Sequence, residues 1–310
     1  MKIIVLGAGA IGGYFGGKLA AKGFDVSFLV RQNRYEQLKK NGLNIKSVHG
    51  DFSIQPNLVL NVNDIEHPEV VLFTVKNYHV NDTIPQLKTL VKNGAKILPL
   101  LNGIQHLELI ISEFGEENVI GGLCSIESTL NEHGDVIQTS ALQDIVFGPV
   151  GTANSNSSLL LELKEMMEAA NINVTLSDYI LGEMWKKYIF ITSLSGITAS
   201  LRQPIGVAVN DPVSFKFLKD LMTEVYKIAI ASGINLPDDT PSLILKKLQS
   251  LSPNMTSSMH RDLEKGLPME LDYLQGYGLK LAKEYELQTP CLRAIYALLH
   301  PYKNGRLEVR

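Results

Sequence analysis

Cysteine is scarce. Cys124 and Cys291 are the only two in 310 residues, far apart and without a companion His or Cys at metal-ligand spacing. No metal is expected, and both read as small apolar side chains in a reducing compartment. An excess of one charge is also missing: 29 Lys+Arg face 32 Asp+Glu, a formal charge of -3. No broad basic surface is left to neutralise a phosphate backbone, so nucleic acid is not an expected partner. Long apolar runs are absent too. The longest uncharged stretch of the C-terminal half, Tyr188 to Leu201, holds Ser and Thr and falls short of the ~20 residues that a membrane span needs. At the start, Lys2 precedes an apolar stretch, but glycines interrupt it and no small-residue cleavage site closes it, so a cytoplasmic chain is expected. There is no internal repeat, low-complexity tract or flexible linker.

What is present divides in two. Before about residue 176, short β-branched runs alternate with helical stretches: Lys2 to Leu6, Asp25 to Val30, Val70 to Val75 and Lys96 to Leu101. Runs that are apolar without alternation suit strands covered on both faces, as in a parallel α/β sheet. Between Asn118 and Gly148 the pieces NVIGGLCSI, DVIQTS and DIVFG, with a turn at His133-Gly134-Asp135, predict a more antiparallel extension. After Asp178 the strand signal ends. Asp211-Pro212, Thr240-Pro241 and Thr289-Pro290 each set an N-cap residue before a proline at the first helical position, which predicts an all-helical second half. The expected organisation is therefore α/β, with one domain over 1–176 and a helical one over 177–310, packed with a cleft between them.

The first strand runs into Gly7-Ala8-Gly9-Ala10-Ile11-Gly12, followed by a helix to about Lys22. This is the context of a dinucleotide site. One glycine allows the tight turn, the second lets the backbone approach a pyrophosphate, the third lets helix and strand pack closely, and the helix N-terminus faces the anion. At the end of the second strand an acid would accept from the ribose hydroxyls of NAD, whereas Arg31, with Arg34 close behind, can pair with the 2′-phosphate of NADP. A solvated basic turn is the plainer account of the same pair.

Lys76 and Asn102 end apolar strands and should stand at the carboxyl edge of the sheet, where ligands bind; a strand-end charge and a turn residue are the alternatives. In the helix that begins near Asp178, Lys187 shares a face with Met184, Ile191, Ser195 and Thr198. A lysine on an apolar stripe either reaches solvent, for example to pair with Glu183, or has a task, and the local pattern leaves Lys186 and Lys187 equally eligible. Further on, Ser257, Ser258 and Glu270 can supply hydroxyls and a carboxylate, although Glu270 after Pro268 equally suits a first-turn acid. His79, His106 and His260 are isolated and read as surface or core residues.

Taken together, GAGAIGGYFG, TVK at Thr74 to Lys76, LNG at Leu101 to Gly103, WKK at Trp185 to Lys187 and SSM…MELDYLQGY resemble the ketopantoate reductase (2-dehydropantoate 2-reductase) family, in order over nearly the whole chain. The resemblance implies a Rossmann-type NAD(P)-binding domain followed by an all-α domain, with NADPH-dependent reduction of a 2-keto acid to a D-type 2-hydroxy acid, first of all ketopantoate. It implies Lys187, two residues after Trp185, as general acid and Glu270 as its partner at the substrate. It places Asn102 and Lys76 near nicotinamide and substrate, and Ser258 against the substrate. The sequence is compatible with a homodimer but does not fix the oligomeric state.

Three positions depart from the family pattern. Where asparagines are usual one and two turns beyond the catalytic lysine and after the next proline, this chain has Ile191, Ser195 and Ile205. Ser195 and Arg202 are then candidate substrate contacts, Arg202 through a bidentate grip on the carboxylate unless it is only a helix-end cation. Two other readings stand beside the first. One is a D-2-hydroxyacid dehydrogenase of the same family acting on bulkier 2-keto acids; the other is a non-catalytic NADPH sensor. A β-hydroxyacid dehydrogenase is disfavoured, because its glycine-rich approach to the lysine is absent before Lys187.

Overall fold

The computed structural model describes residues 1–151 and 158–305, and falls into two compact units. Unit one comprises Met1–Leu101 with His106–Ile180; unit two comprises Asn102–Gln105 with Leu181–Arg310.

In unit one the chain runs β1 (Lys2–Leu6), α1 (Ala10–Ala21), β2 (Asp25–Leu29), α2 (Gln32–Asn41), β3 (Leu43–Ser47), β4 (Phe52–Ile54) and β5 (Asn57–Val59). It continues through β6 (Val70–Phe73), α3 (Val80–Lys92), β7 (Lys96–Pro99), α4 (Gln105–Phe114), β8 (Ile120–Leu130), β9 (Val136–Pro149), α5 (Ser158–Ala169) and β10 (Asn173–Leu176). The first sheet has the order β5-β2-β1-β6-β7 with every pair parallel. Its central strands are buried almost throughout, which is why they are written as unbroken Ile, Val and Leu. β2, β6 and β7 stop one or two residues before the apolar runs do. Past their ends, single hydrogen bonds such as Thr74 N–H to the Leu6 carbonyl (3.0 Å) and Leu100 N–H to the Phe73 carbonyl (2.9 Å) carry the ladder into the loops.

The second sheet is built on β9. β8 pairs with it antiparallel along its length, with a register shift between Ile126 and Ser128, while β3 and β10 lie parallel to its two ends. The expected antiparallel extension is therefore a long hairpin, and DVIQTS and DIVFG are one strand, not two.

Unit two contains no named strand among the described residues. Its helices are α6 (Ile180–Leu201), α7 (Ile205–Asn210), α8 (Pro212–Ala231), α9 (Thr240–Gln249), α10 (Ser258–Lys265), α11 (Tyr277–Glu284) and α12 (Pro290–Leu299). A π-helical turn, Asp272–Gly276, leads directly into α11. The three Pro-marked starts are capped in three ways. Asp211 accepts from Ser214 N–H at 2.8 Å, as its sequence predicts. α9 begins at Thr240 itself, with Asp239 at the cap. At α12 the Thr289 side chain does no capping; the buried Glu224 of α8 accepts from Cys291 N–H at 3.0 Å and Leu292 N–H at 2.9 Å. Burial, with Glu224 close by, pushes the Cys291 thiol up to about 12. No helix among the described residues is long and apolar enough to cross a membrane.

Candidate functional site

The glycine-rich turn follows from where each Cβ would fall. Gly7 sits at φ +106°, a conformation that L side chains rarely adopt. A Cβ at Gly12 would run into the Gly7 carbonyl and the Thr74 hydroxyl, so only glycine lets α1 lie this close to β1 and β6. A Cβ at Gly9 would meet nothing within 4 Å: that face of the loop is open. Gly9 caps α1 with no side-chain partner, and the first turn carries no acid. The N–H groups and positive end of the helix are thus turned to an open, glycine-lined cradle, the arrangement that receives a pyrophosphate. Thr74 Oγ1 donates to the Gly7 carbonyl at 2.7 Å and fixes the turn from behind. Ala8, Ala10 and Ile11 complete the loop, with Ala8 buried.

The two arginines after β2 part company. Arg31, at the N-cap of α2, is exposed and makes one weak ion pair with Asp82 at 3.7 Å. Its guanidinium can turn to an incoming phosphate at little cost. Arg34 is committed within the protein: Nε donates to the Ala8 carbonyl (3.0 Å), and Nη1 donates to the Gly134 carbonyl (2.9 Å) and to Gln37 Oε1 (2.5 Å). Lys76 is not a strand-end residue. β6 stops at Phe73, and Lys76 is half-buried at the cap of the 3-10 helix Asn77–His79, its carbonyl accepting from His79 N–H at 2.9 Å.

In unit two, α6 separates its two lysines. Lys186 Nζ donates to Glu183 Oε1 at 2.9 Å, so the surface ion pair with Glu183 belongs to Lys186. Lys187, next in the helix, is half-buried, while Trp185 and Tyr188 are buried and pack edge to face with ring centres 5.4 Å apart. Glu270 is not a solvated first-turn acid. Its side chain is 5% exposed, and its carbonyl accepts from Tyr273 and Leu274 N–H (both 3.1 Å) where the π turn begins. A carboxylate buried this far needs donors, and Asn102 Nδ2 supplies one over a long 3.5 Å. The Asn102-Gly103 pair reaches that helix start closely enough that a Cβ at Gly103, itself at φ +81°, would lie 3.1 Å from the Tyr273 carbonyl.

The two neighbouring serines have different tasks. Ser257 is buried as the cap of α10, accepting from His260 N–H at 3.0 Å and sharing a 3.1 Å hydrogen bond with Thr198 Oγ1. Ser258 begins the helix and is half-buried. Ser195 is 1% exposed, with its hydroxyl accepting from Gln275 Nε2 at 3.2 Å. Arg202 is exposed beyond the end of α6, at φ +52°, with its guanidinium 5.3 Å from the Tyr302 ring centre. Ile205 is a core side chain. Of the three departures from the family pattern, Ile191 alone remains half-exposed, one turn beyond Lys187.

Two features carried no warning in the sequence. The π turn after Glu270 belongs to a class of helix defect frequent at functional sites. Beside it the Leu274 carbonyl accepts from the buried Tyr188 hydroxyl at 2.6 Å, and burial pushes that phenol upward. Gln275, wholly buried, donates to the Thr192 carbonyl at 3.0 Å as well as to Ser195 and ties α6 to this turn. A hydrophobic spacing pattern does not distinguish a buried glutamine that links two helices from one in solvent.

Residues 3–152 match the family model described as ketopantoate reductase PanE/ApbA, and residues 179–303 match the model of its C-terminal part. An uncharacterised oxidoreductase, YkpB of Bacillus subtilis, is 36% identical, with 98% of this chain and 99% of that protein covered. A 2-dehydropantoate 2-reductase of Nostoc is 29% identical over 98% of this chain and 96% of its own. The crystal structure of the 2-dehydropantoate 2-reductase of Geobacter metallireducens superposes with a TM-score of 0.88 at 28% identity, covering 97% of this chain and 99% of that one. Matched by the two models over most of its length, the chain belongs to the ketopantoate reductase PanE/ApbA family of oxidoreductases.

Proposed function

We propose that the protein reduces 2-dehydropantoate (ketopantoate) to D-pantoate with NADPH, as a step toward pantothenate and coenzyme A. The observation that carries the chemical assignment is the buried Glu270 carboxylate under the Asn102 amide, in the same unit as the half-buried Lys187 of α6. When bound, NADPH supplies the hydride that adds to the keto carbon. As negative charge grows on the carbonyl oxygen, the Lys187 ammonium stabilises it and delivers the proton. Glu270 favours the charged form of that lysine and accepts from a substrate hydroxyl. Asn102 and Ser258 orient the keto acid, and Lys76 serves the nicotinamide side. The cradle Gly7 to Gly12 receives the pyrophosphate, and Arg31, exposed and weakly paired, takes the 2′-phosphate.

A second reading is favoured by Ile191: reduction of bulkier, more apolar 2-keto acids by the same residues. The experiment is a panel of ketopantoate, 2-ketoisovalerate and larger 2-keto acids with NADPH and with NADH. The highest kcat/KM for ketopantoate with NADPH supports the first reading. A preference for large apolar acids selects the second. NADPH binding without oxidation by any acid would leave a cofactor sensor.

A further inference from the structure

The geometry points to Arg34 as a positioning residue for the pyrophosphate of either nicotinamide dinucleotide, acting through the glycine-rich loop, while the choice between NADPH and NADH falls to Arg31. The inference rests on the cofactor reading above.

One guanidinium joins two segments far apart in sequence. On one side Nε donates to the Ala8 carbonyl, inside the cradle; on the other Nη1 donates to the Gly134 carbonyl at the tip of the β8–β9 hairpin and to Gln37, whose own amide donates to the His133 carbonyl at 2.8 Å. The tip is itself fixed. Asn131 Oδ1 accepts from His133 N–H (3.0 Å) and Asp135 N–H (2.9 Å), its amide donates to Asp135 Oδ2 (3.0 Å), and Asn44 donates to Asp135 Oδ1 (3.1 Å). Arg34 therefore ties the loop to a rigid turn.

This anchor has two effects on an anion in the cradle. The Ala8 carbonyl is an acceptor that would repel a phosphate oxygen if it swung toward the ligand, and the hydrogen bond from Arg34 holds it in place. The guanidinium also sets a positive charge behind the loop, partly withdrawn from water, where it is screened less than a surface charge. Burial pulls Arg34 down from the usual arginine range and Asp135 opposes that; a guanidinium keeps its charge within a protein. Neither effect senses the 2′-phosphate, and both act wherever a pyrophosphate is present.

The test measures dissociation constants of NADPH, NADH and 2′-AMP, which lacks the pyrophosphate, in wild type, Arg34→Met, Arg34→Lys and Gln37→Leu. For both Arg34 variants the constants for NADPH and NADH should rise by at least tenfold and by the same factor within twofold. Affinity for 2′-AMP and kcat at saturating NADPH should stay within twofold. Lys retains charge but cannot span both carbonyls, so it should not rescue. Gln37→Leu keeps the guanidinium and should give a smaller rise, about threefold, of the same pattern; it decides the matter if Arg34→Met fails to fold. Loss confined to NADPH, equal loss of 2′-AMP, or unchanged constants in the folded variants would overturn the proposal. Wild type binding neither dinucleotide would instead overturn the cofactor reading.

Discussion

Lys186 and Glu183 form an ion pair at 2.9 Å across one turn of α6, both side chains about 40% exposed. A pair of this kind contributes a few tenths of a kcal/mol. Lys186→Ala is therefore expected to change unfolding free energy by less than ~0.5 kcal/mol in denaturant titration and to keep kcat within twofold of wild type. A large loss of turnover would mean that the ion pair had been assigned to the wrong lysine.

Arg31 bears on cofactor choice. Its pairing with Asp82 is long and exposed, so releasing it costs little, and a charge-assisted contact to phosphate stands to be gained. Arg31→Asp should weaken NADPH binding by about 1 to 3 kcal/mol and NADH binding much less, read by fluorescence titration of each dinucleotide. Equal losses would remove Arg31 from the 2′-phosphate.

Ile191 is the departure that still faces outward. Ile191→Asn restores an amide one turn past Lys187, and a buried hydroxyl without a partner costs about 1 to 3 kcal/mol. The ratio of kcat/KM for ketopantoate over 2-ketoisovalerate, which lacks the hydroxymethyl group, should rise in the variant. An unchanged ratio with both activities intact would take Ile191 off the substrate wall.

The first sheet was legible because its strands are buried on both faces and written without alternation. β3, β4, β5 and β10 were not: at three to five residues they are too short for a hydrophobic period to show. The glycine cradle could be read residue by residue, since each glycine answers a local steric demand. Lys186 and Lys187 could not be told apart by pattern, because Glu183 is within reach of both at three- and four-residue spacing. Glu270 was ambiguous for a similar reason: an acid at a helix start is usual, and burial that comes from segments far away in sequence leaves no local mark.

His260 gives a pH dependence. Its imidazole is nearly buried in α10; burial lowers its proton affinity, Glu264 at 3.5 Å opposes this, and Arg261 lowers it further. A folded-state value below the unfolded value of ~6.5 means that the neutral form stabilises the fold, fully above that pH, with the contribution lost as pH falls through the folded value. Wild type should lose unfolding free energy between pH 7.5 and 5 more steeply than His260→Gln. Parallel profiles would show that His260 does not couple folding to protons in that window.

The role proposed for Lys187, general acid to the keto oxygen, is decided by turnover of Lys187→Ala with saturating NADPH and 2-keto acid. In that role the ammonium would act on charge that develops only in the transition state, so kcat should fall at least ~100-fold while the NADPH dissociation constant stays within about twofold. Near-wild-type turnover in Lys187→Ala would exclude Lys187 as the general acid.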